Sequence, residues 1–113
     1  MEFYTKDELA TLLANGRKRH IDDHDPMPVI KLFTPTAGAT WLITELDPDE
    51  PSVAFGLCDL GLGCPELGYV SLEELKAYRG PLGLGVEKDL HFKPAMTLSA
   101  YASKARIESR ISA

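Results

Sequence analysis

Positive charge is missing from the middle of this 113-residue chain, where no Lys, Arg or His occurs between Leu32 and Leu75. Long apolar runs are missing as well: nowhere do about 18 apolar residues follow one another, which excludes a membrane-spanning helix. The N-terminus lacks a basic region followed by an apolar one, so we expect no secretory signal. Together these absences predict a cytoplasmic bacterial protein.

Cysteine is scarce, because Cys58 and Cys64 are the only two in the chain. In a chain of this kind we expect both thiols to be reduced. Their spacing is wider than that of common zinc knuckles, and no second pair of cysteines exists. We therefore interpret Cys58 as a small core residue at the end of a strand.

Nucleotide-binding and serine-hydrolase motifs are also absent. The glycine-rich stretch GLCDLGLGCPELG, residues 56–68, does not space its glycines as the dinucleotide fingerprint does, and it lacks the Gly-Lys-Ser/Thr of a P-loop. No Gly-x-Ser-x-Gly elbow occurs in the chain. We interpret the stretch as a strand end followed by a glycine-rich reversal that leads to Tyr69.

Helix signals occur at three places in the sequence. A Ser/Thr-x-x-Glu capping box predicts a first helix over about 5–15, and a second capping box predicts a short helix from 71 to about 79. Either Thr97 or Ser99 is expected to cap a last helix, which carries its apolar residues on one side.

Most strand signals fall between the first two helices. Apolar and β-branched residues separated by turn chemistry predict strands over 28–34, 40–46 and 53–60. Residues 67–70 suit a short fourth strand, and 86–92 suit either a strand or an extended segment. Short turns between consecutive strands favour antiparallel pairing. The sequence therefore predicts one α+β domain over residues 1–113, an antiparallel β-meander of three to four strands packed by two or three helices.

The base-free middle of the chain is rich in carboxylates, and the net charge of the chain is −5. One interpretation is a set of solvated charges on exposed strands and turns. The other is an acidic surface that binds a protein partner with a basic surface. An acidic surface repels phosphates, which argues against nucleic-acid binding. The candidate contact residues are Glu45, Asp47, Asp49, Glu50, Asp59 and Glu66.

An alternative function is a small metal-assisted enzyme or a ligand-binding protein. Asp59, Glu66 and His91 could supply oxygen and nitrogen ligands if the fold brings them into one cleft. We favour a non-enzymatic protein without a cofactor, because no nucleophile and base are paired in a recognisable motif.

A second group of metal-ligand residue types lies between the first helix and the first strand. Two histidines, His20 and His24, are interleaved with acidic residues, but both would share one face only on a helix. The sequence predicts a loop there. Trp41 lies in a predicted strand, and we expect it to pack in the core.

Several segments together resemble the family catalogued as domain of unknown function 2958. They are VIKLFTP (29–35), GATWL (38–42), TELDP (44–48), FGLCDLG (55–61), PELGYVSL (65–72), RGP (79–81), DLHF (89–92) and LSAYA (98–102). The resemblance covers nearly the whole chain from about Pro26 onward. The position of Cys64 is more often aromatic in the family's pattern, which argues against a paired-cysteine site.

The resemblance implies a genetic context but no activity. Family members are bacterial proteins often found with plasmids and other mobile elements. From this context we expect an interaction module that inhibits or modulates a nucleic-acid-handling or host-defence protein. We expect the protein to be a monomer or a small homo-oligomer.

Overall fold

Five strands form one antiparallel sheet in a computed structural model that describes residues 2–19, 21 and 24–113. The strand order is β4-β3-β2-β1-β5, so β4 and β5 are the two edges. The predicted α+β class is confirmed, with a fifth strand formed by part of the ambiguous segment 86–92. The elements are α1 (Lys6–Arg17), β1 (Ile30–Phe33), β2 (Thr40–Leu46), β3 (Val53–Asp59), β4 (Glu66–Ser71), α2 (Leu72–Ala77), β5 (Glu87–Lys88) and α3 (Leu98–Glu108), with a 3₁₀ turn at Pro81–Gly83.

The sheet is covered on both faces, because apolar residues of neighbouring positions in β2 point to opposite sides. Trp41 and Ile43 belong to a core that includes Leu12 of α1 and both buried leucines of α2. Leu42 belongs to a second core, formed with the buried face of α3. Burying both cores removes most of the apolar surface of β2 from water, which favours folding.

The sheet departs from regular pairing at one position in β2. The register with β3 shifts between Ile43 and Glu45, which is the mark of a β-bulge. Gly56 lies opposite Ile43, and a Cβ atom there would overlap the carbonyl oxygen of Leu42. The glycine at this position therefore allows the backbone of β2 to approach β3 closely.

The ends of the helices are held mainly as the capping patterns predict. Both hydrogen bonds of the capping box are present at Thr5, where α1 begins, and the Ser71 hydroxyl accepts the Glu74 N–H of α2. At α3 the side chain of Thr97 forms no capping bond, and Asp25 instead accepts the N–H of Ser99 at 3.1 Å. Although burial by itself raises the pKa of Asp25, the hydrogen bonds from Ser99 outweigh it and leave this pKa lowered.

No helix in the described ranges is long and apolar enough to cross a membrane.

Candidate functional site

Two of the six predicted contact residues are buried. Glu45 is 6% exposed and Asp59 is 4% exposed. The two carboxylate oxygens of Asp59 accept backbone N–H groups from Gly61, at 2.8 Å, and from Ile111, at 3.0 Å. Asp59 therefore ties the reversal after β3 and the chain after α3 to the end of β3, and its carboxylate is committed to these two bonds.

The other four predicted residues lie at two separate places. Asp47 forms an ion pair with Arg19 at 3.7 Å and accepts the N–H of Asp49 at 2.9 Å, which shapes the turn between β2 and β3. Asp49 and Glu50 are exposed on this turn. Glu66 pairs with Cys58 at the far end of β3, roughly 17 Å along the strand from the turn. The six residues therefore do not form one surface.

The structure instead places Asp49 and Glu50 beside the start of α2. β3 begins where β4 ends, since Val53 pairs with Ser71, and the Leu72 N–H donates to the Ser52 carbonyl at 2.8 Å. The first turn of α2 therefore lies beside the β2–β3 turn. We call the four exposed carboxylates gathered here the acidic end: Asp49, Glu50, Glu73 and Glu74.

Two members of the acidic end were missing from the sequence prediction. Glu73 and Glu74 lie in the stretch without Lys, Arg or His, but they were interpreted as part of the capping box of the second helix and not as contact residues. The predicted antiparallel meander could have identified them, because it places the end of the fourth strand beside the start of the third. The exposed Arg17 and Lys18 border the acidic end, since α1 ends against Pro48.

An apolar pocket meets the acidic end at Glu74, although most of its lining lies at the other end of the sheet, where the β1–β2 loop and the reversal after β3 come together. Its volume is about 340 Å³, and Glu74 forms part of its wall. Trp41 also lines it and is only 5% exposed, which agrees with the predicted core position of this side chain. The remaining lining residues are Thr34, Ala37, Ala39, Leu60, Leu75 and Tyr78. A pocket of this kind can bury an apolar group from a ligand or a partner protein.

A smaller, polar pocket of about 210 Å³ lies on the α3 side of the sheet. Tyr69 meets Phe55 edge to face, with 5.0 Å between ring centroids, and the guanidinium of Arg19 lies 5.8 Å from the centre of the Tyr69 ring. His24 and Glu45 complete the lining, and the buried Nε2 atom of His24 has no hydrogen-bond partner among the residues that the structure describes.

The predicted histidine cluster is only partly described. His24 lies in the polar pocket, whereas His20, Asp22 and Asp23 lie outside the described residues. Asp25 is committed to the N-terminus of α3 through Ser99.

The alternative set of Asp59, Glu66 and His91 is not brought together. Glu66 is on edge strand β4, and His91 follows β5 at the opposite edge, so four strand spacings of about 4.8 Å separate them. Asp59 is buried with both oxygens hydrogen-bonded, as described above. Among the described residues no group of three His, Cys, Asp or Glu side chains could hold a metal ion.

The two cysteines are free thiols with different surroundings. Cys64 is exposed, whereas Cys58 is partly buried against the core that contains Trp41. Burial raises the pKa of the Cys58 thiol, which keeps it protonated and lowers its reactivity. This placement agrees with the interpretation of Cys58 as a small packing residue.

Comparison with known proteins identifies a family. A family model described as "Protein of unknown function (DUF2958)" matches residues 3–112, so the chain belongs to this family. The match extends to the segment before Pro26, beyond the part that the sequence motifs cover. No significant match was found among the curated proteins or among the solved structures.

Proposed function

We propose that this member of a family of unknown function is a non-enzymatic protein-interaction module that binds the basic surface of a partner protein through its acidic end. The observation that carries the proposal is the placement of four exposed carboxylates on the β2–β3 turn and on the first turn of α2, which begins beside it. Glu74 also lines an apolar pocket, and protein interfaces commonly combine a charged, solvated rim with an apolar centre.

The acidic end suits electrostatic recognition. Asp49, Glu50, Glu73 and Glu74 lie on adjoining turns, and each is exposed, so their fields add over distances of about 8–10 Å before salt screens them. Such a patch accelerates encounter with a positively charged surface and disfavours partners of the same sign. Neighbouring Arg17 and Lys18 would repel a basic partner, which restricts its approach to the side of α2.

We infer the class of partner from the competition between an acidic protein surface and nucleic acid for the same positively charged groove. A protein that handles nucleic acid presents a basic groove to phosphates, and an acidic protein surface can occupy the same groove. We therefore propose that the module acts in the bacterial cytoplasm and inhibits or modulates a nucleic-acid-handling or host-defence protein. The association of the family with mobile elements motivates this choice of partner.

The enzymatic alternative has less geometric support. Asp59, Glu66 and His91 lie too far apart to act on one bound group, and Asp59 is committed to backbone hydrogen bonds.

A charge-neutralising variant tests the proposal. Asp49→Asn, Glu50→Gln, Glu73→Gln and Glu74→Gln together should weaken binding to a partner captured from bacterial lysate by roughly 10–100-fold, because each rim charge contributes a few tenths of a kcal/mol or more. The affinity of the parent should also fall as salt is raised. Affinity would be measured by titration calorimetry with the purified partner.

A matched control removes four exposed carboxylates from other places. Asp7→Asn, Glu66→Gln, Glu87→Gln and Glu108→Gln change the net charge equally, and the affinity should stay within about threefold of the parent. Equal weakening of binding in the two variants would show that net charge alone, and not the acidic end, determines the affinity. Unchanged affinity in the acidic-end variant would overturn the proposal. Thermal melting of both variants checks that the fold is retained.

A further inference from the structure

We propose that the protein forms a homodimer in which the edge strand β4 pairs antiparallel with β4 of a second copy, so that the two sheets become one. This inference concerns a different surface from the acidic end and does not rest on the proposed function. It is carried by the contrast between the two edges of the sheet, by the direction of the backbone groups of β4 and by the self-complementary sequence of that strand.

The two edges of the sheet differ in how they are protected. Strand β5 has only two residues, Glu87 and Lys88, and both are charged. Lys88 also forms an ion pair with Glu8 of α1. Shortness and charge are devices by which natural sheets prevent an edge from pairing with another chain. The edge at β5 is therefore protected against a further strand.

Strand β4 lacks these devices. It is six residues long, Glu66–Ser71, and it contains no Lys, Arg or Pro. Its pairing with β3 runs through six consecutive residue pairs without a bulge. Leu67 is 40% exposed and Tyr69 is 61% exposed, and no other strand of the described chain pairs with the outer side of β4. A regular edge with exposed apolar side chains is a template for another strand.

The backbone of β4 directs hydrogen-bonding groups outward at two exposed residues. At the end of this strand the Leu72 N–H donates to the Ser52 carbonyl at 2.8 Å, so residue 72 turns its backbone toward β3. The N–H and C=O groups of successive residues in a strand point to alternate sides. Leu67 and Tyr69 therefore direct theirs away from β3, where an antiparallel neighbour would satisfy them.

The sequence of β4 selects a second copy as that neighbour. When Gly68 lies opposite Gly68 of the second copy, Leu67 lies opposite Tyr69 of the second copy, and two-fold symmetry forms the same pair again. Both pairs join residues whose backbone groups point outward, so they can exchange four N–H···O=C bonds. Their side chains lie on the face where Tyr69 meets Phe55. Each exposed leucine is therefore covered by a tyrosine ring, which stabilises a pair of strands.

The centre of this pairing is free of steric and charge conflict. Opposite residues that exchange no hydrogen bonds approach to about 4.5 Å between Cα atoms, and Gly68 brings no side chain to that position. Glu66, the only charged residue of β4, lies at the strand end and faces Val70 of the second copy. The two copies of Glu66 are roughly 13 Å apart along the strands. Self-pairing therefore brings no like charges together at this edge.

Sedimentation equilibrium of the purified protein measures the association. We expect a monomer–dimer equilibrium with a dissociation constant of roughly 1–100 μM, because one pair of strands buries less surface than a standard interface. Added salt should not weaken the dimer, because each chain has a net charge of −5 and salt screens the repulsion between the copies. Binding of a basic partner to the acidic end is expected to weaken with salt instead.

Gly68 offers a test of the register. Apart from its chain neighbours, no atom of the described residues lies within 4 Å of a Cβ placed there, so the monomer has room for a side chain. Gly68→Glu and Gly68→Lys each place like charges opposite one another in the dimer and should weaken self-association about three- to tenfold. An equimolar mixture of the two variants pairs opposite charges and should restore the dissociation constant to within about twofold of the parent.

A proline variant tests the backbone pairing. Leu67→Pro removes an outward N–H that the dimer uses twice and that β3 does not use. Proline is accepted at such positions of an edge strand, and we expect about tenfold weaker self-association. The control is Ser103→Glu on the exposed side of α3, which adds the same charge as Gly68→Glu and should leave the dissociation constant within about twofold of the parent. Thermal melting checks that every variant folds.

The outcomes separate self-pairing of β4 from other kinds of association. A dimer that both Gly68 variants weaken, that their mixture restores and that Leu67→Pro disrupts supports the inference. A chain that stays monomeric up to about 1 mM overturns it, and so does a dimer that none of these variants weakens. A mixture that fails to recover overturns the register centred on Gly68 and the proposal with it. None of these results decides the role of the acidic end, which is tested by the affinity for a partner.

Discussion

Gly56→Ala is expected to be among the most destabilising single substitutions in the chain, at about 3 kcal/mol or more of unfolding free energy. The added Cβ would overlap the backbone carbonyl of Leu42, and a carbonyl oxygen in a central strand cannot rotate away as a flexible side chain can. Relief requires the β2–β3 pair to separate at the bulge, which disturbs both cores. Urea unfolding followed by circular dichroism measures the effect.

Gly68→Ala is the matched control for that substitution. Gly68 pairs directly with Gly56 across the β3–β4 ladder, and apart from its chain neighbours no atom of the described residues lies within 4 Å of a Cβ placed there. The unfolding free energy of Gly68→Ala should stay within about 0.5 kcal/mol of that of the parent, with a small gain because alanine restricts the unfolded chain. Equal effects of the two substitutions would contradict the close approach of β2 at Gly56.

Asp59→Ala is expected to cost about 2–4 kcal/mol and to lower the melting temperature by roughly 10 °C. The substitution removes the charged acceptors of two N–H groups, those of Gly61 and Ile111. Both groups lie where the chain is partly buried, so water replaces the carboxylate only at the cost of local opening. Differential scanning calorimetry compares the variant with the parent.

Two further variants decide what Asp59 does. Asp59→Asn keeps one carbonyl acceptor and should lose roughly half as much stability as Asp59→Ala, whereas the exposed Glu66→Gln should be nearly neutral. If Asp59 were a contact residue for a partner, its replacement would weaken binding and leave the melting temperature unchanged. That result would contradict the structural role derived from its two hydrogen bonds.

Local signals in the sequence identified most of the elements. The first helix, predicted over about 5–15, spans Lys6–Arg17, and the second strand has the predicted bounds, Thr40–Leu46. Capping boxes, proline-rich turns and β-branched runs act over a few residues, so they can be interpreted without the rest of the chain. Strand β5 consists only of Glu87–Lys88, and it forms by pairing with β1, which is distant in sequence. No local pattern encodes that pairing.

The candidate site could not be predicted to the same extent, because a single inserted residue changes which side of the sheet a side chain occupies. Regular alternation in β2 would place Glu45 on the side of Trp41. The bulge after Ile43 places it opposite Phe55 instead, where it is buried. The acidic end likewise depends on the pairing of β3 with β4, since that pairing brings the start of α2 beside the β2–β3 turn.

Site-specific photo-crosslinking in bacterial cells tests the central claim most directly. A photoreactive phenylalanine analogue would replace Pro51 on the β2–β3 turn or, as the control, Ile107 on α3, both exposed. We expect a discrete protein adduct from the analogue at Pro51, absent from Ile107 and lost when the four carboxylates of the acidic end are neutralised. No adduct from the analogue at Pro51, or equal adducts from the two positions, would contradict a protein-interaction role for the acidic end.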